Sequence, residues 1–385
     1  LYVPHVYGCE KLLSDYHLSC PDAWRLFYRA ARFFHEHAQY AQAEHLYRRA
    51  LSSQEGLPGN VEGAGLVQIL DSLGWLALDQ GQFSQADQFF RRSYVLKEQV
   101  YGHEHRETAI TLHALGRLAH AQFMYQDAQA LYIQALRIKE QTIGEKHAET
   151  ATTLHALGWI LQDQGRDEEA RPYHQRAFEI RSQVLGMEHM STSIALHQLA
   201  RLAHRQKQYE EAEKLYLQSL SIKERIVGAK HPFTAIGMDA LARVYQDQGR
   251  SEEAEAFYLR ALAIREQYFG LNHQFTADTV NHLGCLYLDQ GQLQQAEPLL
   301  LRALAVRELV LGPDHPITAI SLHQLARLFV KQQRWQQAEE MYQRALTIRK
   351  RAFGRTHPAT QSVMKGYARL LRSLQRDKDA EALEQ

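Results

Sequence analysis

The chain has 385 residues, and its 44 basic and 44 acidic side chains cancel, so no overall field directs it toward nucleic acid or an anionic membrane. Three widely spaced cysteines form neither a disulfide framework nor a metal-ligand pattern, which suits a reducing compartment. No secretory signal is visible, and no apolar run approaches the roughly 18 residues that a membrane span needs. The composition predicts a cytoplasmic protein. Because the chain starts at Leu1 without methionine, we expect it to be part of a longer protein.

A Gly-x-x-His unit recurs along the chain with a period of 42 residues, and a threonine follows each histidine by three positions. The seven units are Gly102/His105, Gly144/His147, Gly186/His189, Gly228/His231, Gly270/His273, Gly312/His315 and Gly354/His357. A fixed period of this length indicates stacked supersecondary units. The extended surface of such an array is typical of binding rather than of catalysis.

The repeat register divides the chain into three parts. Residues 1–20 are predicted to form a linker or helix leading in from a missing upstream domain. Residues 21–356 are predicted to form eight helix-turn-helix units, and residues 357–385 a C-terminal capping helix and tail. The units start near residues 21, 63, 105, 147, 189, 231, 273 and 315. The first junction, residues 56–63, departs from the register by one residue and is the predicted flexible joint.

Each unit is predicted to contain a helix A, a short polar turn and a longer helix B. The glycine after helix B suits a left-handed C-cap, and the histidine or the residue beside it suits the N-cap of the next helix. A histidine ladder could instead indicate metal, but histidines one repeat apart lie too far from each other to share an ion. We therefore expect capping and no metal site.

Small residues recur at fixed offsets, with an aromatic side chain frequently between the last two, as in Gly116, Ala128, Tyr132 and Ala135. This pattern resembles the tetratricopeptide signature. HEAT and armadillo arrays also admit such a period, but they lack this small-residue spacing. The resemblance implies an all-α fold, a right-handed superhelical solenoid of antiparallel helix pairs.

Two longer segments, residues 135–170 and 303–329, resemble the repeats of kinesin light chains. They resemble equally the sensor arrays of bacterial STAND-class signalling ATPases, in which repeats follow an NB-ARC or NACHT ATPase. Residues 3–13 and 20–51 are similar to the junction where bacterial NB-ARC proteins pass from a winged-helix region to repeats. Light-chain repeats carry an Asn-Asn pair in helix A, whereas residues 112–116 read Leu-His-Ala-Leu-Gly. The comparison favours the STAND class.

In tetratricopeptide arrays the fifth and ninth residues of helix A line the concave groove, if the small residue of helix A is counted as the eighth. By this resemblance the fifth positions are Tyr28, Asp71, His113, His155, His197, Asp239, Asn281, His323 and Lys365. The ninth positions are Arg32, Trp75, Arg117, Trp159, Arg201, Arg243, Cys285, Arg327 and Arg369. One turn further along, the same stripe is extended by His120, Gln162, His204 and Gln246.

The stripe is rich in Arg, His and Trp for a neutral chain. It predicts planar donors for carboxylates and apolar anchors at Trp75 and Trp159, and hence a protein or peptide partner with acidic and apolar features. The alternative is that these side chains only solvate the inner face and pair with aspartates such as Asp163, Asp247 and Asp289. The groove histidines either become charged on mild acidification or remain neutral hydrogen-bonding groups.

The sequence contains no catalytic motif. There is no P-loop, no His-Glu-x-x-His and no Gly-x-Ser-x-Gly. Acidic pairs that open helix B, such as Glu168/Glu169, are interpreted as charge at a helix N-terminus, and residues 137–140 as a solvated face. We therefore expect this segment to be non-catalytic and to hold no cofactor.

The leading hypothesis is the ligand-sensing array of a bacterial STAND-type signalling ATPase whose nucleotide-binding module lies upstream. ATP or ADP would then bind only that module, and self-association would proceed through the full-length protein. Nucleic acid and membrane are not expected as partners. The alternative is a stand-alone adaptor of kinesin-light-chain type that bridges two proteins.

Overall fold

The computed structural model describes residues 22–37, 39–55 and 63–384. The predicted N-terminal linker, residues 1–20, lies outside these ranges. So does nearly all of the predicted joint at residues 56–63. Both therefore stay predictions.

The fold is all-helical: of the residues that the structure describes, 83% lie in helices and none in strands. The first helices of the successive pairs (helix A) are α1 (Ala23–Glu36), α3 (Ala64–Asp79), α5 (Arg106–Ala121), α7 (Ala148–Asp163), α9 (Met190–Arg205), α11 (Pro232–Asp247), α13 (Gln274–Asp289), α15 (Thr318–Lys331) and α17 (Pro358–Ser373). The second helices (helix B) are α2 (Tyr40–Glu55), α4 (Phe83–Tyr101), α6 (Tyr125–Thr142), α8 (Asp167–Val184), α10 (Tyr209–Val227), α12 (Ser251–Phe269), α14 (Leu293–Leu311), α16 (Trp335–Phe353) and α18 (Asp377–Glu384). None of these helices has both the length and the apolar character that crossing a bilayer requires.

The described residues within the range Leu1–Gly186 form one compact unit, whose helices α1 to α8 make four pairs. In each pair a small residue of helix A lies against a large side chain of helix B. A Cβ added to Gly116 would lie 2.9 Å from the ring of Tyr132, which is closer than such atoms approach. Because the ring of Tyr132 is fully buried, the small residue sets how closely the two helices pack.

Residues Met187–Gln385 form the other unit, with helices α9 to α18. Buried Tyr216, Tyr258 and Tyr342 of helix B occupy the ring position here. The capping helix α17 is followed by a further short helix, α18, where the sequence suggested only a tail. The α18 helix packs on α17 and buries Ala380.

The Gly-x-x-His-x-x-Thr unit builds the joint between consecutive pairs. Between α6 and α7, Gly144 has φ of +95°, a left-handed conformation that favours glycine. Nδ1 of His147 accepts a hydrogen bond from the backbone N–H of Glu149 at 3.2 Å. The hydroxyl of Thr150 donates to the carbonyl of Gly144 at 2.9 Å. Histidine N-capping recurs at His105, His189, His231, His273, His315 and His357, which confirms the predicted capping role.

Candidate binding surface

Several of the fifth positions of helix A lie at the contact between helices rather than on an open surface. Asp239 is 7% exposed and Asn281 is 2% exposed. Nδ1 of His282 lies 2.9 Å from the Asp239 carboxylate. Oδ1 of Asn281 accepts a hydrogen bond from the hydroxyl of Ser321 at 3.3 Å. Contrary to the groove assignment made from the sequence, these two side chains hold the repeats together and are covered from solvent.

Other fifth positions also bond within the array. The carboxylate of Asp71 accepts hydrogen bonds from the hydroxyl of Ser93 at 2.5 Å and from the ammonium of Lys97 at 2.7 Å. The hydroxyl of Tyr28 accepts from Ser72 at 3.3 Å. Lys365, in contrast, is exposed. Its position is thus the most open of the fifth positions.

The histidines at fifth positions are desolvated. Burial, with smaller contributions from Lys139 and Arg117, lowers the pKa of His113 to about 3. Burial also lowers the pKa of His323, to about 4, and the pKa of His197 falls well below its ordinary value for the same reason. These three imidazoles therefore remain neutral on mild acidification. Of the two alternatives for the groove histidines, charged or neutral, the pKa directions favour the neutral form.

His155 contacts two rings. Its centroid lies 6.1 Å from that of Trp159 and 5.5 Å from that of His174. Trp159 also meets the ring of His120 edge-on, at 5.8 Å between centroids. His155 and Trp159, both predicted groove residues, thus belong to one aromatic cluster in the first unit.

The ninth positions of helix A are the more accessible ones. The exposed members are Arg32, Arg117, Trp159, Arg243 and Arg369. The half-buried members are Trp75, Arg201, Cys285 and Arg327. The guanidinium of Arg117 lies over the Trp75 ring, 5.2 Å from its centroid. Burial raises the pKa of Cys285 to about 12, so this thiol is unreactive at neutral pH.

The extension of the stripe pairs with aspartates of the following repeat. Nε2 of His120 lies 2.8 Å from the carboxylate of Asp163. His204 and Asp247 are 2.7 Å apart, and the amide of Gln246 donates to Asp289 at 2.9 Å. These contacts agree with the alternative interpretation, in which the polar side chains pair with aspartates. His120, His204 and Gln246 connect successive helices A instead of presenting unpaired donors.

A ladder of cations in helix B, which the sequence interpretation missed, lies beneath the fifth positions. Its members are Lys97, Lys139, Arg181, Lys223, Arg265, Arg307 and Arg349. The first six are buried, and Arg349 is half-buried. Lys139 belongs to the 137–140 segment that was interpreted as a solvated face, and that interpretation was wrong for this residue because its side chain is 3% exposed. The signal that could have revealed the ladder is its 42-residue register.

Three of the ladder cations donate hydrogen bonds to a hydroxyl of the following repeat. Lys139 donates to the hydroxyl of Thr153 at 3.1 Å, fourteen residues later. Arg265 bonds to Thr279, and Arg307 donates to the hydroxyl of Ser321 at 2.7 Å, both at the same separation. Because a buried charge is stable only when it is paired or hydrogen-bonded, these contacts make the ladder part of the scaffold.

A cationic cleft of about 630 Å³ lies in the second unit among α15, α16 and α17. Four predicted groove residues line it, namely His323, Arg327, Lys365 and Arg369. Further lining is provided by Gln324, Val330, Lys331, Trp335, Tyr342, Ser362, Gly366, Leu370 and Ser373. No carboxylate is among the described residues that line this cleft. The structure thus brings together the C-terminal members of the predicted stripe.

The cations of the cleft differ in their bonding. Arg327 donates to Asp289 at 3.0 Å, and Lys331 donates to the carbonyl of Leu288 at 2.7 Å. Lys365 and Arg369 make no hydrogen bond or ion pair with any residue that the structure describes. Two charges are therefore available to a bound anion. Across the described ranges, no three His, Cys, Asp or Glu side chains are grouped to hold a metal ion.

The fold and its register define a tandem array of helix pairs. The family model for the tetratricopeptide repeat matches residues 66–107, 90–141, 120–183, 191–267, 238–309, 275–351 and 328–385. The chain belongs to the tetratricopeptide-repeat family, as these matches cover most of its length. The predicted all-α array of helix pairs is confirmed.

Solved structures with similar folds include the apo quorum sensor NprR of B. thuringiensis, with a TM-score of 0.62 and 13% identity over 93% of this chain and 96% of that one. Apo RapI has a TM-score of 0.59 and 12% identity over 92% of this chain and 99% of that one. A kinesin-light-chain-type protein from Podosopora anserina is 27% identical over 53% of this chain and 97% of that one, with a TM-score of 0.46. No curated protein sequence matches this chain. At these identities, the similarity to NprR and RapI shows a shared fold.

Proposed function

We propose that this array is a non-catalytic scaffold, without a cofactor of its own, that binds a protein segment or peptide with acidic and apolar side chains. The observation that carries the proposal is the cleft at α15–α17, where Lys365 and Arg369 make no hydrogen bond or ion pair with the described residues. Guanidinium and ammonium groups in a recess without carboxylates favour an anionic ligand. Trp335 and Val330 in the same lining are half-buried and offer apolar surface beside the charge.

A second surface in the first unit supports the proposal. Trp159 is 43% exposed, although a tryptophan side chain gains much from burial. Exposed tryptophan and arginine are the residue types most enriched among the energetically dominant contacts of interfaces. The exposed Arg117, stacked on Trp75, adds a planar donor to this unit.

We place this binding role within a STAND-type signalling ATPase of the bacterial cytoplasm, as the resemblance of residues 3–13 and 20–51 implies. In that setting the array senses a ligand, and binding shifts the population of the whole protein toward its active state. NprR is a quorum sensor on the same fold, which supports a sensing role. The coding sequence that precedes residue 1 tests this setting. A P-loop followed by a winged helix supports it, whereas heptad repeats support the adaptor.

The binding role itself is tested with the double variant Lys365→Glu/Arg369→Glu and an immobilised random peptide library. The wild type is expected to retain peptides enriched in Asp and Glu. The double variant should lose about tenfold or more of their affinity, because it replaces two attractive charges with repulsive ones. The matched control is Arg351→Glu, which reverses an exposed charge on α16 away from the cleft. Equal retention by the wild type and the double variant, with helicity unchanged, would remove the cleft from the proposal.

A further inference from the structure

Another pocket in the second unit combines an apolar wall with three polar groups. Its volume is about 220 Å³. The lining consists of Met190, Ile194, His197, Gln198, Lys223, Phe233 and Ile236. Ile194, Phe233 and Ile236 are exposed at its rim. The pocket therefore lies near the start of helix A in two successive repeats, α9 and α11, with Lys223 contributed by α10 between them.

Lys223 is a buried member of the cation ladder that has no partner in the described part of the chain. Its side chain is 4% exposed, yet its ammonium makes no hydrogen bond or ion pair within the described residues. Lys139, Arg265 and Arg307 each bond to the hydroxyl of the residue fourteen positions later. For Lys223 that residue is Gly237, which has no hydroxyl. Removing a charge from water without a partner is strongly unfavourable, so an unpaired ammonium at this position calls for an explanation.

Two further polar atoms at the same pocket lack partners. Nδ1 of His197 and Oε1 of Gln198 are buried and accept or donate no hydrogen bond. Burial lowers the pKa of Lys223 to about 8, and the pKa of His197 also falls. At neutral pH the pocket therefore presents one ammonium beside a neutral imidazole and an amide, surrounded by apolar side chains.

We propose that this pocket receives the carboxylate of a Glu or Asp side chain of the partner peptide at Lys223, with an aliphatic neighbour on Ile194, Phe233 and Ile236. The inference rests on the proposed function and names a specificity position for it. The pocket volume corresponds to about seven water molecules at roughly 30 Å³ each, which suits one acidic side chain. A carboxylate would supply the countercharge that Asp71 provides for Lys97 and Asp278 for Arg307, and His197 and Gln198 would bond to the peptide.

The inference is tested with Lys223→Met and a positional-scanning peptide library, in which one residue is fixed at a time. The wild type should select Glu or Asp at one position next to an aliphatic residue. Lys223→Met should lose that acidic preference by about tenfold or more, because the methionine side chain keeps most of the unbranched length and removes the charge. The matched control Lys139→Met removes an equivalent ammonium that has an internal partner, and it should leave the preference intact.

A second variant acts by supplying the missing partner. Gly237→Ser places a hydroxyl where other repeats have one, and a Cβ there would lie 3.2 Å from the flexible Cδ1 of Leu220. This variant should weaken the acidic preference while Lys223 is retained. If both Lys223→Met and Gly237→Ser select the same residues as the wild type, the inference is overturned.

The pH dependence gives an independent readout. Affinity for the selected acidic peptide should fall between about pH 7 and about pH 9, because the ammonium of Lys223 loses its proton near pH 8. The lowered pKa of His197 keeps its imidazole neutral in that range, and the lowered pKa of Asp239 keeps its carboxylate ionised. The guanidinium groups of Arg201 and Arg243 act on the same imidazole. A flat profile would contradict the inference.

The experiments distinguish failure of the proposed peptide binding from failure of the inference about Lys223. A library from which the wild type retains nothing overturns peptide binding and this inference together. Retention that depends on Lys365 and Arg369 but not on Lys223 overturns the inference alone.

Discussion

Lys97 and Lys223 occupy equivalent positions in two repeats, and their surroundings show how much a single partner matters. The ammonium of Lys97 lies 2.7 Å from the carboxylate of Asp71, and Glu107 is 3.7 Å away. Lys223 has His197 at the position equivalent to Asp71. Burial alone therefore lowers the pKa of Lys223, to about 8. The pKa of Lys139, whose main bond is to a neutral hydroxyl, is lowered to about 8 for the same reason.

These lowered values predict how stability changes with pH. In the unfolded chain a lysine keeps a pKa near 10.4. Between about pH 8 and about pH 10 the unfolded state thus binds more protons than the folded state, and the contribution of Lys139 and Lys223 to stability rises with pH. The double variant Lys139→Met/Lys223→Met should lack this rise. The measurement is the midpoint of urea unfolding at several pH values between about 8 and 10. The variant Lys146→Met, which changes an exposed lysine, is the control. Parallel profiles for the wild type and the double variant would contradict the prediction.

At the scale of the element, the joint between helix pairs depends on a histidine that caps a helix. The hydrogen bond from the N–H of Glu149 to His147 satisfies one of the donors that the first turn of α7 leaves unpaired. Histidine is an unusual cap, and in three joints its ring also stacks on an aromatic residue at the end of the preceding helix B. Those pairs are Tyr101–His105, Phe269–His273 and Phe353–His357.

Removal of the cap gives a measurable loss. His147→Ala should lower the free energy of unfolding by about 1 kcal/mol, the usual value of an N-cap hydrogen bond. His147→Asn should recover most of it, because asparagine is a strong N-cap. Thermal unfolding followed by circular dichroism compares the three proteins. An alanine variant as stable as the wild type would show that the bond contributes nothing.

The joint could be predicted from the sequence because the role of each of its residues is set by the local backbone. Gly144 needs a left-handed conformation, and His147 begins a helix, so the pattern alone predicted both roles. The burial of Lys139 could not be predicted in this way. A lysine on helix B has the same local pattern whether it points to water or to the next helix A, and only the packing of the following repeat decides. For the same reason Asp239 was assigned to the groove, although His282 and Arg265 of neighbouring helices cover it.

At the scale of the molecule, each helix pair packs on the pairs beside it within its compact unit. The stability of such an array is approximately a sum of repeat and nearest-neighbour contributions. Damage in one repeat should therefore spread to its neighbours and fade with distance along the chain.

The variant Gly116→Val tests this. Its Cβ would meet the ring of Tyr132 at 2.9 Å and force α5 away from α6. Hydrogen exchange should become faster in α5, α6 and the adjoining helices, while α15 to α17 keep their protection. The neighbouring substitution Arg117→Ala, at an exposed position, serves as the control. Equal loss of protection in both units would show that the array unfolds as one cooperative body instead.

The buried cations also restrict how such an array can evolve by duplication. Arg307 bonds to Ser321 of the following repeat and to Asp278 of its own, so one side chain connects two units of the period. A repeat copied to a new place would bring its cation but not the hydroxyl that the cation needs from the next repeat. The position of a repeat in the array therefore matters as much as its shape: where the following repeat has glycine instead of the hydroxyl, as at Gly237, the buried ammonium of Lys223 has no hydrogen-bond partner among the residues that the structure describes.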